Sequence, residues 1–437
     1  VQSNWDIKPL YDVIVRIPGF TTPEQWLVRG NHHDAWVNGA EDPVSGTVAL
    51  MEEARSLATL LKQGWKPKRT IIYCVWDGEE PALLGSTEWG ETHAEQLRQH
   101  AVAYINSDAN GRGYLTMGGS HTLEKFINAV AREIEDPETK ITVWKRDQLK
   151  AIAEAKTPED RREARERPDL RINALGSGSD WTVFLDHLGI ASLDLSYGNE
   201  DGGGIYHSIY DDFYWYTHFS DTDFSYGRAL SQTAGTAVMR LANADLLPYD
   251  FSGLADTIHR YLDELQKLLK TKQDEVEERN QEIEEGVFTA IADPKKTSLP
   301  PPLEPVPPHL NFAPFENASQ ALTRSAARYQ RSLERVSKNG ELALSPAALQ
   351  VLNSRLLESE RKLLSPEGLP DRPWFEHLIY APGRYTGYEV KTIPGVREAI
   401  EQKKWKEAEG QIARAASALQ EEARLVDAAA QELETVP

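Results

Sequence analysis

The stretch IIYCVWDGEE, residues 71–80, decides the fold class. Ile71 to Trp76 is a buried strand by its length and β-branched content, and it runs directly into an acidic cluster. Working outward, Val13-Ile14-Val15 and Trp26-Leu27-Val28 read as strands before it. Ala101 to Ile105 and Ile190 to Leu195 read as strands after it. Between the second and third lies a helix from about Ser45 to Gln63. Its apolar residues Val48, Met51, Ala54, Ala58 and Leu61 recur at three and four, and Gly64 is a suitable C-cap. Strands alternating with helices predict an α/β fold, with a mostly parallel sheet and helices on both faces.

Further along, residues 145–172 are highly charged and read as a surface excursion of helix and loop, a solvated face. The character changes around Leu246-Leu247-Pro248. Leu254, Ile258, Leu262, Leu265 and Leu269 then follow helical spacing. The proline-rich LPPPLEPVPP at 299–308 should run extended. Helical patterns return at 317–337, 346–365 and 396–434, which predicts an all-α second half. The expected division is 1–247 and 248–437, and no internal repeat is visible.

Composition narrows the function. The net charge of −20 repels phosphate backbones, so nucleic acid is not an expected partner. The single cysteine, Cys74, rules out a disulfide within the chain and a thiolate zinc site, so any metal must use His, Asp and Glu. No run of 18 or more apolar residues offers a membrane-spanning helix. The opening VQSNWDIKPLYDV has neither an initiator Met nor a signal-peptide pattern and reads as a processed chain or a fragment.

Four acidic or His-containing segments follow predicted strands or lie near them: GNHHDAWVNGAEDPVSG (30–46), WDGEEPALLGSTEW (76–89), YINSDANG (104–111) and GIYHSIYDD (204–212). Ligands of open α/β sheets gather at the carboxyl ends of strands, so these segments can converge on one point. Imidazole and carboxylate donors suit zinc, and two zinc ions about 3.5–4 Å apart can share a hydroxide nucleophile. One carboxylate should bridge such a pair and another, unligated, should act as general base. Adjacent Glu79 and Glu80 suit a division into base and ligand. Asp42-Pro43 suits a turn, and its peptide bond is a candidate for the cis form.

The motifs HxDxWVxGxxDPxSG, WDxEExxLLGSTEW, VAYINxD, GSGSD and YHSxY, with GLPDRPWFEHLIYAP at 368–382, resemble the glutamate carboxypeptidase II and transferrin receptor family of two-zinc exopeptidases. The resemblance runs through nearly the whole chain. It implies a zinc-peptidase core followed by a helical dimerisation domain, a homodimer and a peptide substrate. His32 and Asp108 would complete one zinc site, Glu80 and His207 would flank the other, and Asp42 would bridge them. Glu79 would be the general base of a zinc-dependent exopeptidase acting through a two-zinc-bound hydroxide. Asp34 would orient His32, and Tyr206 would hold the oxyanion. Ser177, Gly178 and Ser179 of the GSGSD segment, with Tyr388, would meet substrate. Glu88 and Glu91 match two calcium ligands of the family, making Ca2+ a second candidate ion.

Departures from the family pattern carry their own expectations. The positions matching an arginine patch read Gly118, Asp194 and Ser196. Ser179 stands in place of an Asn, and Gly387 stands in place of a lysine before Tyr388. These argue for a carboxypeptidase without strict glutamate preference, with Arg384 as a candidate substitute charge. An aminopeptidase is the alternative, with Asp194 or the NEDGGG segment (199–204) meeting the amine. A receptor-like role is the remaining one, against which the complete ligand set stands. The resemblance implies a front portion with an apical insertion before the point where this sequence starts, to be supplied either by a separate chain or by a stretch missing from this sequence. A periplasmic or secreted location is expected.

Overall fold

The computed structural model describes residues 6–296, 299–338 and 341–435; the first five residues of the opening stretch lie outside these. Six strands form one sheet: β1 (Val13–Ile17), β2 (Thr22–His32), β3 (Arg69–Trp76), β4 (Ala101–Asn106), β5 (Gly113–Gly119) and β6 (Ser192–Asn199). Their order is β1-β3-β2-β4-β6-β5. The four central strands are parallel, and β1 and β5 close the edges antiparallel. The five strands read from sequence are all present. β5 was not anticipated, because GYLTMGG carries three glycines and reads as loop; its pairing along the whole of β6 from Gly113–Asn199 to Gly119–Leu193 overrides that weak propensity.

Tyr73 and Trp76 lie on opposite faces of β3, since side chains alternate along a strand. The Tyr73 hydroxyl donates to Glu53 of the Gly46–Lys62 helix at 2.7 Å. Trp76 instead meets Trp89 (5.3 Å between rings) and donates its indole N–H to Tyr104, whose ring stacks on Phe184 at 4.0 Å. Helices therefore cover both faces. Cys74 is buried within β3.

The charged 145–172 stretch forms helices Val143–Glu154 and Pro158–Glu166. It is not all solvated face: Arg146 is buried and joins Asp136 (2.8 Å), the Tyr226 hydroxyl (3.0 Å) and Glu200 (2.5 Å). Only paired burial of this kind keeps an arginine inside.

Long helices dominate the second half: Phe251–Glu284, Ala313–Val336 and Trp405–Glu434. Asp250 caps the first, accepting from the Ser252 and Gly253 amides at 2.9 and 3.3 Å. The Trp405–Glu434 helix packs chiefly against the Ala313–Val336 helix and buries Ile412, Leu419, Ala423, Val426 and Ala430. The proline-rich 299–308 stretch is neither helix nor strand. The halves are pinned together by Tyr261 against His121 (3.1 Å) and by the Glu376 and His377 amides on the Asp186 carbonyl (2.8 and 3.1 Å).

Glu422 lies fully buried in the last helix, with Ser359 Oγ donating to it at 2.6 Å. Burial pushes its carboxyl up to about 8. The folded chain thus holds a proton there that the unfolded chain releases above about 4.5, so this contribution to stability is complete below that pH and is lost as pH rises towards 8. Glu422→Gln should flatten that decline and stabilise the fold at pH 8.5 by about 2–4 kcal/mol, read from urea midpoints at pH 5 and 8.5.

Candidate metal centre

The carboxyl ends of β2, β3 and β4 open on one side of the sheet. His32 is the last residue of β2 and is buried. Its Nε2 lies 2.9 Å from Asp108 Oδ1, just beyond β4, and 3.4 Å from Asp42 Oδ1. Its Nδ1 lies 3.1 Å from the Asp34 carbonyl and 3.4 Å from the Asp34 carboxylate. That leaves Nε2 pointed at the carboxylates.

Asp34 does more than orient an imidazole. One of its oxygens accepts the Glu79 amide at 3.0 Å and the other the Glu80 amide at 3.2 Å. Gly78, with φ of 72°, makes the turn out of β3 that brings those amides round. Glu80 then reaches His207 Nε2 at 3.2 Å, while Glu79 lies 3.9 Å from His32 Nε2.

Asp42 sits in a turn over 40–45 and its bond to Pro43 is cis, as the sequence suggested. Its two oxygens diverge: Oδ1 faces His32 at 3.4 Å and Oδ2 faces His207 at 3.3 Å. Donor atoms of His32, Glu79 and Asp108 fall within 4.8 Å of one another, as do those of Asp42, Glu80 and His207. Two donor clusters therefore adjoin, with Asp42 facing both.

The electrostatics call for a cation. Burial, then repulsion from Asp108, Asp180 and Glu80, pushes Glu79 up to about 9. Burial and Asp42 push Glu80 to about 7. Burial alone would lower His32, but the Asp108 carboxylate overrides it and carries the imidazole well above its usual range. Glutamates raised above their usual range beside an imidazole held charged are what crowded anions produce. The oxygen and nitrogen donor set fits zinc.

Beside these clusters lies a cavity of about 370 Å3, lined by Glu79, Glu80, Asp42, Asp108 and His207 together with neutral residues. Ser177, Gly178, Tyr206 and Tyr388 line it as expected. Gly178 has φ of 108° and lies against the Tyr388 ring, so a side chain fits there poorly. Ser179 does not line it: fully buried, its hydroxyl meets Asn106 at 3.0 Å and also bonds Asp108. Tyr206 stacks on the His207 ring at 3.6 Å and bonds Tyr388.

Trp374 and Phe375 complete the wall, brought in by the 368–382 segment of the second half. Arg384 is engaged by Asp371 and Arg372 by Glu398 (2.7 Å), so neither enters the cavity. Asp194 accepts from Asn106 at 3.0 Å and is not in its lining. Glu91 accepts the Trp374 indole at 2.6 Å and Glu88 is exposed; neither joins a donor cluster among the described residues. A larger cavity, about 570 Å3 between β5 and the two helices at 143–166, contains no imidazole.

Sequence reasoning missed Asp211. It is buried, and its carboxylate accepts the amides of Glu41 (2.7 Å) and Asp42 (3.1 Å). It stands four residues beyond His207 in a segment already marked as acidic. Nothing in the spacing says that it turns back onto the 40–45 turn.

Residues 310–427 match the transferrin receptor-like dimerisation domain. A probable glutamate carboxypeptidase of Arabidopsis thaliana, LAMP1, is 33% identical over 423 residues, covering 94% of this chain and 53% of that protein. A probable glutamate carboxypeptidase of Zea mays, VP8, is 31% identical, covering 91% and 49%. The aminopeptidase NAALADL1 of Mus musculus is 30% identical, also covering 91% and 49%. The chain spans about half the length of these relatives. Peptidase family M28 matches residues 12–280, which contain the whole sheet and both donor clusters, and the chain belongs to that family.

Proposed function

We propose that this chain carries the catalytic centre of a zinc-dependent exopeptidase. The observation that carries the reading is Asp42, whose two oxygens address His32 and His207 from a single carboxylate. Two zinc ions would be held by His32 and Asp108 on one side, by Glu80 and His207 on the other, and by Asp42 between them. Zinc bound there supplies Lewis acidity, offsetting charge on the oxyanion and easing deprotonation of water. Glu79 accepts the proton from the attacking water and returns it to the leaving amine. Tyr206 donates a hydrogen bond to the tetrahedral oxyanion. Asp34 fixes the His32 ring and both glutamate amides. The region matching the dimerisation domain joins two copies.

The specificity follows from the cavity wall. Ala82, Leu83, Trp374, Phe375 and Tyr388 present a largely apolar surface, and neither Lys nor Arg lines it among the described residues. A buried charge without a partner is costly, so a terminal glutamate gains nothing here. The reading is a carboxypeptidase releasing uncharged residues. The lack of a lining cation to meet a terminal carboxylate also supports the second reading, an aminopeptidase.

Dipeptides blocked at either end, with amino acid release followed by mass spectrometry, separate these. N-blocked substrates ending in Phe, Leu or Met should be cleaved with kcat/KM roughly 10–100-fold above those ending in Glu. Cleavage confined to peptides with a free amine makes the enzyme an aminopeptidase. A preference for terminal glutamate contradicts the account of the wall.

A further inference from the structure

We infer that Asp211 is a positioning residue that sets the second metal position, the one formed by Asp42, Glu80 and His207. The inference rests on the two-zinc reading above. Two loops from distant parts of the chain supply Asp42 and His207, and Asp211 laces them together. Its carboxylate takes the Glu41 and Asp42 amides at 2.7 and 3.1 Å, and its own carbonyl takes the Ala40 amide at 3.2 Å. A further tie joins the Asn38 side chain to the Ile209 carbonyl at 2.9 Å. On the other side Asp211 is tied to the backbone that flanks His207: its amide donates to the Ser208 carbonyl at 3.1 Å, and the Ser208 amide and hydroxyl donate to the Ile205 carbonyl at 3.0 and 2.7 Å.

His207 needs such a hold. Its φ of 55° places it in the left-handed region, which a residue with a side chain keeps only where its surroundings impose it. Asp211 is also the counterpart of Asp34. Each is a carboxylate that takes two consecutive amides, Glu79 and Glu80 in one case and Glu41 and Asp42 in the other. Asp34 thus fixes the turn carrying the glutamates, and Asp211 fixes the turn carrying the carboxylate between the two sites. Because Asp211 reaches the ligands through backbone, its removal leaves every donor atom in place and changes only how the donors are spaced.

The test is zinc binding to the purified chain, measured by competition with a chromophoric chelator beside the melting temperature of the metal-free protein. Asp211→Ala should keep one tight zinc and bind the second on the order of 10–100-fold more weakly. Asp211→Asn keeps one acceptor oxygen and should fall between it and the unmodified chain. Asp212→Ala is the control: Asp212 caps the Phe213–Phe219 helix through the Trp215 amide at 2.7 Å, so its loss should lower the melting temperature and leave both zinc affinities alone. Unchanged affinity for both ions in Asp211→Ala overturns the inference while leaving the two-zinc reading intact. So does a zinc loss that Asp212→Ala reproduces, since general loosening would then explain it. Failure of the unmodified chain to bind zinc overturns both.

Discussion

Glu79→Gln should lose about 10²–10⁴-fold in kcat while KM and zinc content hold. The amide occupies the space of the carboxylate and keeps the backbone bond from the Glu79 amide to Asp34, but it cannot take a proton. Position and ionisation both matter here. Glu79 is buried beside the His32 and Asp108 cluster, with its oxygen a full ångström farther from His32 Nε2 than that of Asp108, at 3.9 against 2.9 Å. That places it at the rim of the donors. In the metal-free chain burial raises it to about 9, so at neutral pH it holds its proton and is no base. A divalent cation held by the neighbouring donors would reverse this balance and leave Glu79 ionised, as the proposed base must be. Zinc content is the discriminating readout. If Glu79→Gln loses metal along with activity, Glu79 is a ligand and the assignment of the base is wrong.

Asp42→Asn should abolish tight zinc binding and yet raise the melting temperature of the metal-free protein. The two effects have one cause. Asp42 is buried, and burial with the nearby Asp108 raises its carboxyl above the usual range despite the bond to His32. The metal-free fold therefore pays to keep a charge there, and the asparagine removes that cost. With zinc bound the balance would invert, because among the described residues Asp42 is the only carboxylate that faces both His32 and His207. Zinc affinity should fall by at least 10²-fold. The metal-free melting temperature should climb by a few degrees, at roughly 2–4 °C per kcal/mol for domains of 150–250 residues. A drop in both would mark Asp42 as a structural residue of its turn.

The half that carries the sheet was the more legible part of the sequence. IIYCVW could only be a buried strand, and the acidic residues after it fell at a strand end, where the sheet places its ligands. His32, Asp42, Glu80, Asp108 and His207 come from four separate segments, yet each segment carries a motif long enough to mark it, and the structure brings all five together. What stayed hidden lies in backbone and long-range pairing. β5 is a strand because β6 pairs with it, not because GYLTMGG favours one. Asp211 acts through two amides some 170 residues away, a contact without a local pattern. Ser179 sits in a motif expected to meet substrate, but burial turns it toward Asn106 and Asp108. Arg384 read as a spare cation near Tyr388 until its pairing with Asp371 removed it from the cavity. Trp374 and Phe375 were part of a recognised segment, but only the packing of the two halves makes them a wall of the site.

The most direct test of the two-zinc centre is equilibrium zinc binding to the metal-free chain, with ions counted per chain by elemental analysis after gel filtration. The geometry of Asp42 between His32 and His207 predicts two tightly bound zinc ions, both lost in Asp42→Asn. A chain that binds no zinc, or whose zinc survives Asp42→Asn undiminished, would contradict it.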